Sequence, residues 1–280
     1  AHHVGGRAGT RTFPILKYFE KDIVSVLYEA DESAISGIKK ETHRLPSKTV
    51  ILPDCLSGEA GKRNFYIYNN RYFSSLYPLK AEETQTYSFD RQFGWDTDPK
   101  ALSLVETLML DTVTLDEVIK SKTIKDIPSP DFLSLDTQGS ELEILKGGRI
   151  AIQNTVVAIA TEVSFTQMYE KQPLFGELTD YLNEIGFELA SLEIFNTESR
   201  SRRMPVGLRG RGCVQSGEAL FLRKLSHYGT IEEKTISLLK QAFIAFCFEF
   251  YDQTFDILNS LSVKEIEEIV SKDTDKVNYL

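Results

Sequence analysis

A chain of 280 residues, 41% hydrophobic and 26% charged, has the make-up of a soluble globular protein, long enough for one α/β domain with an appendage or for two small domains. Its formal net charge of -9 argues against nucleic acid as a partner, because nonspecific phosphate binding needs clustered Lys and Arg that release counterions. Three widely spaced cysteines, Cys55, Cys213 and Cys247, suggest neither a disulfide framework nor a metal knuckle, and the longest apolar run, AFIAFCFEF at 242–250, is far short of the roughly 20 residues of a membrane span. With no signal-peptide pattern, a cytoplasmic protein that binds neither membrane nor metal is expected.

The chain opens on AHHVGGRAGT, a glycine-rich turn with no room before it for the strand such a turn normally follows. The first strand is therefore expected to be missing or truncated, and His2 and His3 are given no function. TRTFPILKYF suggests a short helix with Thr12 as its cap and Pro14 in the first turn. DIVSVLYEAD at 22–31 is a nearly continuous apolar run ending in acids, the pattern of a buried parallel strand. A helix near 32–42, a strand TVILPDCLS at 49–57 and an extended NFYIYNN follow. This alternation calls for a parallel sheet.

Residues 70–103 are irregular, aromatic and hold the only Trp, which suggests a functional lid or a disordered excursion. LVETLMLDTVTLDEVI then gives a strand leading into a helix capped by Thr114, DFLSLDTQ a strand, SELEILKGG a helix closed by glycines, and VVAIATEVSF at 156–165 another buried strand. LFGELTDYLNEIGF has the apolar spacing of an amphipathic helix. ELASLEIFN and EALFLRKL, joined by the basic link TESRSRRMPVGLRGRGCVQSG without a helix, predict an antiparallel hairpin that finishes the sheet. From about residue 230 the pattern is helical.

Ligands of open parallel sheets bind at the carboxyl ends of the strands, so the residues just after strands are the candidates. Gly5, Gly6 and Gly9 would let backbone approach a ligand ahead of a helix, and equally serve as turn punctuation. Glu29 and Asp31, about 20 residues on, suit a ribose diol or, alternatively, a solvated strand end or helix cap. The spacing G-G-x-x-G departs from the G-x-G-x-x-G of a dinucleotide site, which favours a ligand without pyrophosphate, S-adenosylmethionine.

TLDEVI at 114–119, DFLSLDTQGSELEILKGG at 131–148, ATEVSF at 160–165, YEKQPLFGELTDYLNEIGFEL at 169–189 and ALFLRK at 219–224 resemble, in that order, the FkbM-type methyltransferases. Members typically show a T-L-D-E segment, a K-I-D-V-E-G-x-E-x-x-V-L-K-G stretch, an acid after the next strand and a Y-x-x-Q-x-L-F helix start. The resemblance covers roughly residues 4–225 and is strongest over 112–190. It implies an α/β, Rossmann-like class I methyltransferase fold, S-adenosylmethionine as cofactor, and O-methylation of a sugar or another small hydroxyl-bearing metabolite. The domain would span 1–228, with a helical extension over 229–280. By position, Gly5, Gly6 and Gly9 match the first cofactor motif, Glu29 the ribose acid, and Asp54 with Cys55 the region beside the adenine. Ser74 and Ser75 resemble the family's serine-containing loop. Ser134 and Gln138 stand where the family usually has Lys and Glu, and the second change removes a charge.

Methyl transfer to a hydroxyl needs an in-line approach to the methyl and a destination for the hydroxyl proton. Asp136, which would also border the cofactor, is the first candidate base and Glu162 the second; Asp136 could instead cap the following helix, and capping is the expected role of Glu141. Gln138, Tyr169 and Gln172 are candidate acceptor contacts, and Arg203, with its neighbours in RSRRMPVGLRGRG, could grip an anionic acceptor. His43 and His227 are expected at the surface. The aromatic stripe Phe243, Phe246, Phe250 and Phe255 either folds back on the domain or forms a homo-oligomer interface. A catalytically retired fold acting as a scaffold, and a nicotinamide oxidoreductase, are the competing readings.

Overall fold

A computed structural model of the chain describes residues 1–5, 19–42, 48–80, 100–121, 127–198, 213–230, 234–264 and 266–267. Its main body is a seven-stranded sheet. In chain order its strands are β1 (His2–Val4), β2 (Val24–Tyr28), β3 (Lys48–Leu52), β7 (Phe132–Leu135), β8 (Ala158–Ser164), β9 (Phe187–Glu198) and β10 (Cys213–Arg223). They lie in the order β3-β2-β1-β7-β8-β10-β9. All pairs are parallel except those of β10, which runs antiparallel to β8 and β9. The hairpin expected at the end of the sheet is present, with its second strand tucked inside.

The three residues before Gly5 do form a strand, and a central one. β1 pairs in parallel with both β2 and β7, so the glycine turn follows a strand as such turns do, contrary to the expectation of a missing one. His2 and His3 are also not spare residues: both are buried, and His2 places Nδ1 3.0 Å from the Tyr28 hydroxyl and Nε2 2.8 Å from the Pro128 carbonyl oxygen.

A second, three-stranded sheet sits beyond the end of β3. It comprises β4 (Cys55–Leu56), β5 (Gly61–Tyr68) and β6 (Leu104–Val113), ordered β4-β6-β5. TVILPDCLS is thus two strands in two sheets. Pro53, which has no N–H to give to a ladder, falls at the break. Leu108 and Leu110 of β6 pack with Cys55, Phe65, Ile67 and Leu76 to give this sheet its own core.

One face of the large sheet is covered by α2 (Leu115–Lys120), α3 (Glu141–Gly147), α4 (Arg149–Thr155) and α5 (Phe175–Glu184). Leu133, Leu135, Ile159, Val163 and Phe221 meet Leu115, Leu145, Ile152 and Leu182 there. The T-L-D-E segment has a structural explanation. Thr114 caps α2 and is bonded back by Glu117 in a capping box, while Asp116 accepts from the N–H groups of Ile150 and Ala151 and so caps α4. The glycine pair ends α3 only for α4 to begin at once. A side chain at Gly147 would place its Cβ 2.5 Å from the Ser57 carbonyl oxygen, and at Gly148 2.8 Å from Leu115.

The other face is covered by α6 (Lys234–Cys247), followed by α7 (Tyr251–Asn259). Ala245 packs on Phe132, Ala158, Ala160, Leu220 and Leu222, the small residues allowing the helix to lie close. The long helical pattern after residue 230 is therefore two helices, broken where Glu249 takes a φ of 65°. Of the phenylalanine stripe, Phe250 packs at the sheet and Phe243 meets Phe19 edge-on at 5.1 Å, while Phe246 and Phe255 are exposed. Part of the stripe folds back and part stays at the surface. The helix expected over TRTFPILKYF lies outside the described residues, among which no helix is long and apolar enough to cross a membrane.

Candidate active site

The strand order reverses between β1 and β7, and the crevice beyond their carboxyl ends is where sheets of this kind hold ligands. Gly5 and Asp136 face each other there. The Asp136 N–H donates to the Val4 carbonyl at 3.0 Å, and the Gly5 N–H to the Tyr28 carbonyl at 3.2 Å. Gly5 has a φ of 87°, and a Cβ on it would lie 1.9 Å from the Asp136 carbonyl oxygen. Both facts demand glycine. Gly6 and Gly9 lie outside the described residues.

Asp136 is not the helix cap. The N-cap position is Ser140, which makes no side-chain cap bond. The buried Glu141 carboxylate, expected as a cap, instead accepts from groups of the preceding turn: the Thr137 N–H at 2.8 Å, the Thr137 hydroxyl at 3.0 Å and the Gly139 N–H at 3.0 Å. Burial raises its pKa; the hydrogen bonds to the charged form oppose that shift. The turn is built around this carboxylate, with Gln138 (φ 58°) and Gly139 (φ 109°) both left-handed. The Asp136 side chain is released toward the crevice side of the turn, where Gln138 meets it: Gln138 Nε2 donates to Asp136 Oδ1 at 2.9 Å and to Glu162 Oε2 at 2.9 Å. The two acids singled out from sequence are therefore joined by one amide.

A wall of aromatic residues stands over this junction. Tyr68, Phe73, Leu79 and Tyr169 form one buried cluster, and the Tyr169 hydroxyl lies 2.9 Å from the Phe73 carbonyl oxygen and 3.1 Å from Gln138 Oε1. Burial holds its pKa well above that of an ordinary tyrosine, so it acts as a hydrogen-bond donor and not as a base. Ser75 donates from Oγ to the Gln138 carbonyl at 2.8 Å, and Ser74 ends a short 3-10 turn, Arg71–Phe73. Over residues 70–80 the aromatic segment is thus packed onto the body; residues 81–99 lie outside the described residues. Gln172 is structural as well, its Oε1 accepting from the Met168 N–H and its Nε2 donating to Ser164.

The candidates at the β2 and β3 ends separate. Glu29 is buried at the end of β2, where its Oε1 accepts from the Asp31 N–H at 2.8 Å. Asp31 caps α1 (Glu32–Thr42) through the N–H and hydroxyl of Ser33, and its other oxygen meets Arg71 at 3.3 Å. Its side chain is taken up by the fold. Asp54 is half-buried just past β3, with its pKa raised by burial. The Cys55 side chain instead lies in the core of the small sheet, where burial pushes the thiol up to about 12. Only its backbone could line a pocket.

A cluster that sequence reasoning missed ties the small sheet to α3. Glu143 accepts two bonds from Arg63, at 2.7 and 2.8 Å, and one from the Tyr77 hydroxyl at 2.8 Å. Burial, with Glu143 alongside, pushes the Tyr77 hydroxyl up to about 12. No local pattern marks these residues, since Glu143 lies 80 positions from Arg63 and 66 from Tyr77 in the chain. Arg203 and the basic link around it lie outside the described residues. Among the described residues no three His, Cys, Asp or Glu side chains gather as metal ligands.

The arrangement brings together a close backbone approach at Gly5, a buried acid at Glu29, and a bridged carboxylate pair at the strand ends. Among solved structures, the chain is similar to the methyltransferase FkbM from Methylobacillus flagellatus KT, at 14% identity and a TM-score of 0.36, over 71% of this chain and 36% of that one. The match thus spans about a third of that protein's length. No curated protein sequence matches the chain. The model of the methyltransferase FkbM domain matches residues 3–189, two thirds of the sequence. On that match, which takes in β1, the crevice and both bridged acids, the chain belongs to the FkbM methyltransferase domain family.

Proposed function

We propose that this chain transfers a methyl group from S-adenosylmethionine to a hydroxyl of a sugar, a glycan precursor or another small metabolite. The observation that carries the reading is the Asp136–Gln138–Glu162 junction at the point where the strand order reverses, beside the glycine that lets backbone approach a ligand. The residues fit the cofactor. Gly5, with Gly6 and Gly9 after it, would face its amino-acid portion, Glu29 would accept hydrogen bonds from its ribose, and Asp54 would border its base. When bound, the sulfonium supplies an electrophilic methyl group and leaves as a neutral thioether.

The chain's own task is then to orient the acceptor and take its proton. The Asp136 carboxylate would take the proton of the acceptor hydroxyl as that oxygen is methylated. Glu162 holds the acceptor by a further hydroxyl, which suits a polyhydroxylated molecule. Ser74 and the basic link with Arg203 are the proposed outer contacts, the latter for an anionic acceptor. The hydroxyls of Ser75 and Tyr169 serve Gln138 and act on the acceptor only through it. The free cysteines Cys55, Cys213 and Cys247 fit a reducing compartment, and we place the reaction in the cytoplasm.

The test is labelled-methyl incorporation into a panel of nucleotide sugars and glycans, with calorimetric titration of S-adenosylmethionine. Asp136→Asn should bind the cofactor as the parent does and lose about 10²- to 10⁴-fold in turnover, the contribution of a general base. Undiminished turnover in that variant removes Asp136 from the chemistry. Cofactor binding with no acceptor methylated would favour the scaffold reading, and NAD binding the oxidoreductase one.

A further inference from the structure

Gln138 engages both ends of its side-chain amide and its backbone carbonyl. Each hydrogen of its amide serves one acid, at 2.9 Å in both cases. Its Oε1 lies 3.1 Å from the Tyr169 hydroxyl, and its backbone carbonyl accepts from Ser75. Donors needed on one side and an acceptor on the other fix which way the amide faces. Its φ of 58° is uncommon for a residue with a side chain, and such a conformation persists where the surroundings over-determine it. A carboxylate at this position would have no hydrogen to give and would bring three negative charges together.

We propose that Gln138 is a positioning residue. Its amide sets the separation and facing of the Asp136 and Glu162 carboxylates, and Tyr169 with residues 73–75 holds the amide in place. An amide donates to both acids without adding a charge between them. The catalytic consequence rests on the methyl-transfer reading above; the clamp itself does not.

Two measurements separate the clamp from that reading. The first needs no acceptor: thermal unfolding of the parent, Gln138→Glu, Glu162→Gln and the double variant near pH 7. In the double variant an amide at 162 faces a carboxylate at 138, so the bond returns with its polarity reversed. The double variant should melt above Gln138→Glu alone. Additive losses overturn the clamp whether or not methyl transfer is found.

The second uses an acceptor from the labelled-methyl screen. Gln138→Glu should lose about tenfold or more in kcat near pH 8, as expected when reacting groups are misplaced, with KM for S-adenosylmethionine within about threefold. It should recover part of this near pH 5.5, where the added carboxyl takes up a proton and can donate again. Gln138→Leu should stay slow throughout, because it can never donate. Parental kcat in Gln138→Leu, or no gain on acidification of Gln138→Glu, overturns the positioning role. Coupled melting with no acceptor methylated leaves the clamp standing and removes the methyl-transfer reading.

Discussion

The two ends of the large sheet are both polar, yet they are built in opposite ways. At the carboxyl ends of β1, β2 and β7 the chain uses left-handed backbone at Gly5, Gln138 and Gly139, and the Asp136 and Glu162 carboxylates are only half-buried. At the other end Arg223 is 1% exposed. Its Nε donates to the Val156 carbonyl at 2.8 Å and its Nη2 to the Ile152 carbonyl, closing the C-terminal turn of α4. Its guanidinium lies over Phe187 at 4.8 Å, and Gln241 of α6 donates to the Arg223 carbonyl at 2.7 Å. One end keeps polar groups where a ligand can reach them, at a cost in backbone strain. The other saturates them against carbonyls and aromatic faces, where they can only stabilise.

The sharpest way to break this comparison is Arg223→Ala. Loss of a buried cation that satisfies two helix-end carbonyls and covers two aromatic rings should cost about 4 kcal/mol of stability. Cofactor affinity per folded molecule should stay unchanged. Urea unfolding with calorimetric titration checks both, and a changed affinity would mean the ends are coupled.

Acid should act on the closed end next. Burial holds His2 at about 4, against 6.5 for a free imidazole. The unfolded chain therefore takes up a proton near 6.5 that the fold refuses until about 4, so this contribution is complete above 6.5 and lost as pH falls toward 4. At 1.36 kcal/mol per unit it amounts to about 3 kcal/mol. Urea midpoints near pH 7 and pH 4.5 should diverge in the parent and lie closer together in His2→Gln; an equal gap in both would place the acid sensitivity elsewhere.

At the open end, Glu141→Gln halves the acceptor capacity that holds the Thr137 and Gly139 N–H groups, and should cost about 2 kcal/mol. Unlike Arg223→Ala it should also weaken S-adenosylmethionine, because the turn holds the Asp136 backbone against Val4 and Gly5. The smallest effect is expected where α6 meets the sheet through Lys240 and Asp131, at 2.7 Å with both side chains more than a third exposed. Lys240→Met should change stability by less than about 1 kcal/mol, since apolar packing of Ala245 and Leu238 anchors that helix.

Much of this was legible locally. The apolar runs of β2, β7 and β8, the spacing of α5 and the Thr114 cap are fixed by side-chain period and capping chemistry within a few residues. Glu29 and Asp136 do lie at strand ends, the places where sheets of this kind are searched for ligand contacts. Asp31 and Cys55 were over-read: each follows a strand, but a serine two positions on and a second sheet take up their side chains. The short β1 was missed because three residues are too few to show a period, and its place in the sheet comes from pairing with the distant β2 and β7.

What the sequence by itself determined is the set of elements, the family, and a glycine-then-acid pattern at strand ends, since these depend on neighbours within a few positions or on ordered motifs. Only the tertiary structure decided that Gln138 joins Asp136 to Glu162 and that Arg63 meets Glu143. It also decided that α6 lies on the sheet, and that the two ends of the sheet are built differently. Those facts depend on residues far apart in the chain, and hydrogen-bond geometry and close packing are specified by position in space, which no local pattern of residue types encodes.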